Sequence, residues 1–303
     1  MCIRDSSFTA YFNGIGIASI RAGLKQLGFA DAEETAIGAT FVKREYERIS
    51  REGVQSVVIT SCCPTVNTLI EKYYPEITEC LAPVMTPMQA HCMDIKRRHS
   101  DAKTVFIGPC LSKKDEAARV GVDAALTFEE IAAMFEKKGI VLESMRDHDE
   151  KSRARLFPTI GGVLNTMTYK NPLYDYYTID GLDNVIPALE DIRHGGIEHC
   201  FIEMSACAGS CVRGPIMRRK HPSSVRDYQA VSSYAGKEDF NVEQPEVSQL
   251  TNEYRPAFLH KVKPSHSELM EILRKMGKVS PADELNCGTC GYNTCRDKAE
   301  AIY

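Results

Sequence analysis

Val54-Gln55-Ser56-Val57-Val58-Ile59-Thr60-Ser61-Cys62-Cys63-Pro64 is the segment on which the reading of this chain turns. Gly53 punctuates before it, and the β-branched run from Val54 to Thr60 predicts a buried strand. That strand ends on two adjacent cysteines, after which Pro64 suits the first turn of a helix running through Glu71. The pattern recurs. Lys103-Thr104-Val105-Phe106-Ile107 is strand-like and enters Gly108-Pro109-Cys110, and Glu198 to Met204 leads into Cys207 and Cys211. Helical stretches lie at Ile17 to Leu27 and about Glu33 to Arg51. A third opens on the capping box Thr127-Phe128-Glu129-Glu130 and runs to about Lys138. Strands alternating with helices predict an α/β fold with mainly parallel sheet. In such folds sites gather at the carboxyl ends of strands, where all three cysteine groups fall.

The rest of the chain is less patterned. Met1 to Ser6 join no clear element. His221 to Lys263 is polar and reads as an excursion or linker, Ser267 to Met276 as a short helix, and Asn286 to Tyr303 as a separate cysteine module. A chain of 303 residues is expected to form two lobes rather than one core. We therefore expect two lobes of mainly parallel sheet flanked by helices, with the cofactor site between them, over residues 8–265. A small C-terminal module over 266–303 completes the expectation.

Composition excludes several classes. With 43% hydrophobic and 26% charged residues the chain is an ordinary globular one. A net charge of -4 offers no basic field for nucleic acid. Runs such as Val57-Val58-Ile59 are too short to span a bilayer, and no signal segment opens the chain, so a cytoplasmic location is expected.

The anomaly is twelve cysteines. In a cytosolic protein of this size, clustered thiols point to metal or redox chemistry rather than a disulfide framework. Cys2, Cys80, Cys92 and Cys200 are isolated and read as small buried hydrophobes. Cys287-Gly288-Thr289-Cys290-Gly291-Tyr292-Asn293-Thr294-Cys295 places three thiolates among small residues, which suits zinc or, at least as well, an iron–sulfur cluster whose fourth ligand lies beyond this sequence or elsewhere. Cys63, Cys110, Cys207 and Cys211 supply four thiolates from three strand ends, enough for one [4Fe–4S] cluster. Cys62 is then a free thiol beside it, suited to carrying protons.

Three segments carry a family resemblance: Thr60-Ser61-Cys62-Cys63-Pro64, Gly108-Pro109-Cys110-Leu111-Ser112-Lys113-Lys114-Asp115-Glu116, and Glu203-Met204-Ser205-Ala206-Cys207-Ala208-Gly209-Ser210-Cys211. Together they resemble the signatures of the [FeFe]-hydrogenase catalytic domain. Phe157, Gly161-Gly162-Val163, Tyr73-Tyr74-Pro75-Glu76 and Thr86-Pro87-Met88 match in order. The resemblance runs from about Phe8 to Pro215, and the C-terminal module resembles an iron–sulfur domain often attached to such proteins.

This resemblance implies an H-cluster: a [4Fe–4S] unit on Cys63, Cys110, Cys207 and Cys211, with Cys211 bridging to a two-iron subsite carrying CO, cyanide and a dithiolate. It implies that Cys62 passes protons, Lys113 donates to an iron-bound cyanide, Glu116 supports that loop and Pro109 lies against the cofactor. An additional [4Fe–4S] cluster is implied at Cys287, Cys290 and Cys295. The implied reaction is 2H⁺ + 2e⁻ ⇌ H₂ in an anaerobic setting. The implied partners are a ferredoxin-like electron carrier or fused Fe–S domains, and hydrogenase maturation proteins.

The chain also departs from the common pattern. Val66 replaces an aromatic, Gly108 and Ser205 replace methionines flanking the two-iron subsite, and Ala82 falls near an expected relay serine. Gly214-Pro215-Ile216 replaces a glycine-glutamine ending, and Glu45 and Glu47 are the nearest acids upstream of Cys62. Ser205 gains a hydroxyl able to donate to the cofactor. These changes resemble the sensory branch of the family, which implies hydrogen sensing, slow turnover and a downstream signalling domain. The alternative is an iron–sulfur scaffold or redox sensor without the two-iron subsite. His91, His99, His194 and His199 are read as non-ligands, Met85, Met88 and Met93 as core, and Tyr73-Tyr74 as packing the helix after Pro64. The Arg218-Arg219-Lys220 run is read as a solvated face.

Overall fold

A computed structural model describes residues 1–145, 147, 151–257 and 263–303. Among them seven strands form two all-parallel sheets. In the first, β1 (Cys2–Arg4), β2 (Ala32–Glu34), β4 (Val105–Gly108) and β5 (Ala124–Thr127) run in the order β2-β1-β4-β5. In the second, β3 (Val57–Ile59), β6 (Asp175–Asp180) and β7 (Cys200–Ser205) run in the order β3-β7-β6. Helices flank both, as the alternating pattern predicts.

The second sheet shows why the decisive segment is apolar throughout. Val58 pairs with Phe201 and Ile59 with Ile202, and all four are buried. One face packs on Phe41 and Tyr46 of the helix Ala36–Glu52, the other on Ile70, Val185 and Leu189. A parallel strand covered on both faces cannot alternate with polar residues. The strand is nevertheless shorter than the expected Val54 to Thr60, because Val54 is 85% exposed.

Helix Ala36–Glu52 lies against helix Pro87–Arg98, which opens on a capping box between Thr86 and Gln89. Gly38 permits this approach: a Cβ there would lie 2.2 Å from the Pro87 carbonyl oxygen.

Several expectations need correction. Met1 to Ser6 contain β1, an interior strand of the first sheet. Glu33 and Glu34 belong to β2 rather than to a helix. The stretch His221 to Lys263 is more than a linker. Helix Ser224–Tyr234 buries Val231 and sets Tyr234 edge-on to Phe8 at 5.5 Å. Phe240 and Leu250 are buried, and Arg44 holds the Val242 carbonyl at 2.9 Å; only 258–262 of that stretch fall outside the described residues. Its local polarity hides a few apolar anchors that tertiary packing uses. Tyr74 packs as expected, whereas Tyr73 is 54% exposed. Cys92 and Cys200 are buried; Cys80 is half-buried.

The chain divides into two compact units, Met1–Ala257 and Phe258–Tyr303. In the second, helices His266–Lys275 and Cys295–Ile302 pack together, burying Leu273 and Ala299. No helix among the described residues is long and apolar enough to cross a membrane.

Candidate metal and cofactor site

Each cysteine group sits where a strand ends. β3 delivers Cys62 and Cys63, with Cys63 capping the helix Pro64–Tyr73. β4 delivers Pro109 and Cys110 ahead of the helix Ser112–Val120. β7 delivers Cys207 and Cys211 through a tight loop in which Gly209 and Ser210 both take positive φ, 91° and 59°. Gly209 is held there by its N–H on Asp180 Oδ2 at 2.6 Å. A side chain at 209 would strike Arg213. Two thiol groups thus come from one sheet and one from the other. Thr65 and Ser112 join hydroxyls across them at 2.6 Å.

The four sulfurs converge. Cys211 feels the thiols of Cys110, Cys63 and Cys207, and Cys207 those of Cys63 and Cys110. Burial first, and Cys63 and Cys110 second, push Cys207 up to about 11; burial, then Asp5, then the three other cysteines push Cys211 well above the usual thiol range. Burial, then Cys63, raises Cys110 as well. Among the described residues no three His, Cys, Asp or Glu close on the point a single ion would occupy. Four neighbouring thiols from three strand ends supply the four ligands that a [4Fe–4S] unit needs.

Beside Cys211 lies a cavity of about 70 Å³ whose wall includes Cys62, Lys113, Met88, Phe157 and Pro158. This is room for a group several times the size of one water. Lys113 is buried and its ammonium lies 2.6 Å from Glu116 Oε2; Glu116 Oε1 accepts from Thr86 at 2.5 Å. Burial works to lower the Lys113 pKa, but Glu116, with Cys110 and Cys62, raises it above the ordinary lysine value. The cavity wall therefore carries a fixed positive charge, suited to anionic ligands such as cyanide.

Cys62 is a thiol. Burial pushes it up to about 12, against a hydrogen bond from Tyr46 and the Lys113 charge. The loop behind Phe157 is anchored by Glu203, which accepts from Leu164 N–H at 3.0 Å. Burial raises Glu203 to about 7 despite the surrounding N–H groups.

The expected residues divide as follows. Cys62, Lys113 and Cys211 share the cavity; Glu116 stands behind Lys113. Cys63, Cys110 and Cys207 surround Cys211 on the cluster side, and the Pro109 carbonyl approaches Gly214 there. Ser205 ends β7 half-buried and is not among the residues lining the cavity. Gly108 leaves no vacancy where a methionine was expected, because the Phe106 ring would lie 2.6 Å from a Cβ there. Met88 is buried and also faces the cavity, so it is more than core. His91 binds Glu33 at 2.8 Å. Tyr46 and Tyr254 were not singled out; Thr86 entered only as part of the Thr86-Pro87-Met88 match, without a role at the site.

In the C-terminal unit Cys287 and Cys290 are exposed, and Cys295 opens the last helix with its N–H on Asn286 Oδ1 at 2.8 Å. Gly288 and Gly291 take positive φ, 70° and 84°, the turn conformation that glycine adopts without strain.

Two parallel sheets whose strand ends bring four cysteines together define an α/β protein with a thiol-lined site of the kind that suits an iron–sulfur cluster. The family described as "Iron only hydrogenase large subunit, C-terminal domain" matches residues 9–215, and the chain belongs to it. A second family, for an Fe-S cluster segment, matches residues 283–303. The periplasmic [Fe] hydrogenase large subunit of Nitratidesulfovibrio vulgaris is 29% identical over 276 residues, covering 67% of this chain and 65% of that protein. Iron hydrogenase 1 of Clostridium pasteurianum is 28% identical, covering 70% of this chain and 48% of that one. The chain thus spans about half to two thirds of these relatives. The cytosolic Fe-S cluster assembly factor NAR1 of Encephalitozoon cuniculi is 26% identical over 215 residues, covering 60% of this chain and 59% of that one. The fold is shared with solved [FeFe]-hydrogenase structures, among them HydA1 of Chlamydomonas reinhardtii. That match has a TM-score of 0.64 at 17% identity and covers 85% of this chain and 94% of that one.

Proposed function

We propose that this chain is a hydrogenase-type redox protein interconverting protons, electrons and H₂, in a sensory setting with slow turnover. Cys63, Cys110, Cys207 and Cys211 hold a [4Fe–4S] cluster, and Cys211 extends to a two-iron subsite in the adjoining cavity. When bound, that group supplies an open iron site where hydrogen chemistry takes place. The observation that carries the reading is that Cys62, Lys113 and Cys211 line one cavity. A bare cubane needs neither the extra thiol nor the lysine.

The chain's own residues have separable tasks. Lys113, kept charged by Glu116, orients anionic ligands. Cys62, a thiol at neutral pH, holds one proton at the cavity wall. Phe157, Pro158 and Met88 exclude water. Cys287, Cys290 and Cys295 hold a second cluster that passes electrons, supplied by a ferredoxin-like carrier or by fused Fe–S domains. Maturation proteins load the two-iron unit, and a signalling domain reads its state.

The assembly-factor relative favours a second reading, an iron–sulfur scaffold without the two-iron unit. Anaerobic maturation followed by an H₂-evolution assay with a reduced viologen separates the two. Slow but cluster-dependent evolution supports the proposal. Rates like those of fast hydrogenases remove the sensory setting, and none at all with a full cubane favours the scaffold.

A further inference from the structure

Three of the cysteines assigned to the cluster leave one sheet, and Cys110 leaves the other. β3 pairs with β7 through Ile59 and Ile202, and the Thr60 N–H extends that ladder to the Ile202 carbonyl at 2.9 Å. Cys63 therefore emerges beside the strand end that delivers Cys207 and Cys211. Asp180, at the end of β6 in the same sheet, holds the loop between those two through the Gly209 N–H. Cys110 follows β4, and among the described residues no ladder joins its sheet to the first three thiols. The backbone that fixes three sulfurs leaves the fourth to side-chain contacts.

Apolar packing does little there, because Leu111, next to Cys110, is 53% exposed. What crosses between the sheets is a pair of hydroxyls. Thr65 stands just past Cys63, in the first turn of the helix Pro64–Tyr73, and Ser112 just past Cys110, at the start of the helix Ser112–Val120. Their oxygens lie 2.6 Å apart, half-buried. One turn further along the first helix, Thr68 Oγ1 accepts from Arg119 Nη2 at 3.3 Å, and Arg119 is itself held by Asp115 at 2.9 Å. The same two helices are thus tied twice, and the shorter tie is the one beside the thiols. Thr is stiff at χ1, and a hydrogen bond weakens steeply when its distance or angle is spoiled, so this contact fixes a separation.

We propose that Thr65 and Ser112 are positioning residues that hold Cys110 at the distance from Cys63 which one cubane spans. The inference rests on the reading above, in which both cysteines bind the same [4Fe–4S] unit. It adds that the site is shaped before iron arrives: the β3–β7 ladder sets Cys63, Cys207 and Cys211, and the hydroxyl clasp brings Cys110 to them. Ligands that already stand in place lose less freedom when the cluster is loaded. Without the clasp, Cys110 is the thiol that strays.

The test uses the whole chain, iron-free and reduced, treated with dibromobimane, which fluoresces once it bridges two neighbouring thiols. Mass spectrometry of the digest separates a Cys63–Cys110 bridge from a Cys207–Cys211 bridge, with fragment spectra telling Cys63 from Cys62. The second bridge is the internal reference. Thr65→Val and, separately, Ser112→Ala should each slow the first bridge by about three- to tenfold, the worth of one hydrogen bond, and leave the reference at the parent rate. The double variant should be no slower than either single one, since both remove the same bond. Thr65→Ser should keep the parent rate. An unchanged Cys63–Cys110 rate, single effects that multiply, or an equal slowing of the reference overturns the clasp. Reconstitution with iron and sulfide tests the underlying reading by itself: a parent that forms no [4Fe–4S] cluster overturns that reading, while the bridging rates still decide whether the clasp sets the spacing.

Discussion

Lys113 and Glu116 form an ion pair at 2.6 Å with side chains only 11% and 5% exposed. Such a pair fixes geometry more than it adds stability, because both charges lose their water. Removing one partner is another matter. Glu116→Ala should destabilise the first unit by roughly 3 kcal/mol, since Lys113 would remain as an uncompensated buried charge. The double change Lys113→Met with Glu116→Leu should recover most of that loss. Urea denaturation measures both; a single-variant cost below about 1 kcal/mol would show that water reaches the pair.

The thiols of the iron-free protein should titrate late. Cys62 is pushed up to about 12 and Cys207 to about 11, chiefly by burial, so both are protonated at neutral pH. Exposed Cys287 lies below the usual thiol value, mainly through its hydrogen bond from Thr289. Because only thiolates alkylate readily, iodoacetamide near pH 7.5 should label Cys287 well before Cys62 or Cys207, and labelling of the latter two should rise with pH. Mass spectrometry reads the order directly, and early labelling of Cys62 would contradict its burial.

Glu33 links acid stability to the packing of the helix Pro87–Arg98. Burial opposes its ionisation, but hydrogen bonds from His91 and Arg98 outweigh that and hold it at about 2. A carboxylate lowered on folding contributes stability that is full above its unfolded pKa and lost as pH falls through the folded one. The window is therefore pH 4.5 to 2, and the contribution is on the order of 3 kcal/mol. Glu33→Gln should flatten the loss of stability across that window, as followed by denaturant titration at pH 5 and pH 3. An unchanged slope would assign the acid sensitivity elsewhere.

Gly38→Ala ordinarily strengthens a helix. Here the new Cβ would lie 2.2 Å from the Pro87 carbonyl oxygen and 2.7 Å from His91 Cβ. Overpacking of that kind costs about 1–3 kcal/mol, more than the gain in helix propensity. A lowered melting temperature is expected, and a raised one would mean that the two helices separate freely.

What the sequence disclosed was local. Val57 to Ile59 and the cysteines after it are contiguous, so strand, strand end and ligand group are read in one pass. The capping box at Thr127 and Glu130 is equally local and appears as expected. β1 and β2 are three residues each, too short to show a period, and β6 is a largely exposed edge strand, Asp175–Asp180, without apolar alternation. Helix Ser224–Tyr234 was hidden because its packing rests on a few anchors among polar residues. Tyr46 and Tyr254 could not be assigned a role, since the first is 16 positions from Cys62 and the second nearly two hundred. Tyr46 reaches Cys62 and Ser61, and Tyr254 reaches the Val84 carbonyl that Ser61 also holds, only through the packing of the helix Ala36–Glu52 and the 252–254 segment.

The central claim is that Cys211 joins a four-thiol cluster to a second, two-iron unit in the adjoining cavity. Infrared spectroscopy of protein matured anaerobically, beside a Cys211→Ser variant, tests it most directly. We predict sharp metal-bound CO and CN bands in the parent and none in the variant. A parent that assembles its iron–sulfur clusters yet shows no such bands, or a variant that keeps them, would contradict the account.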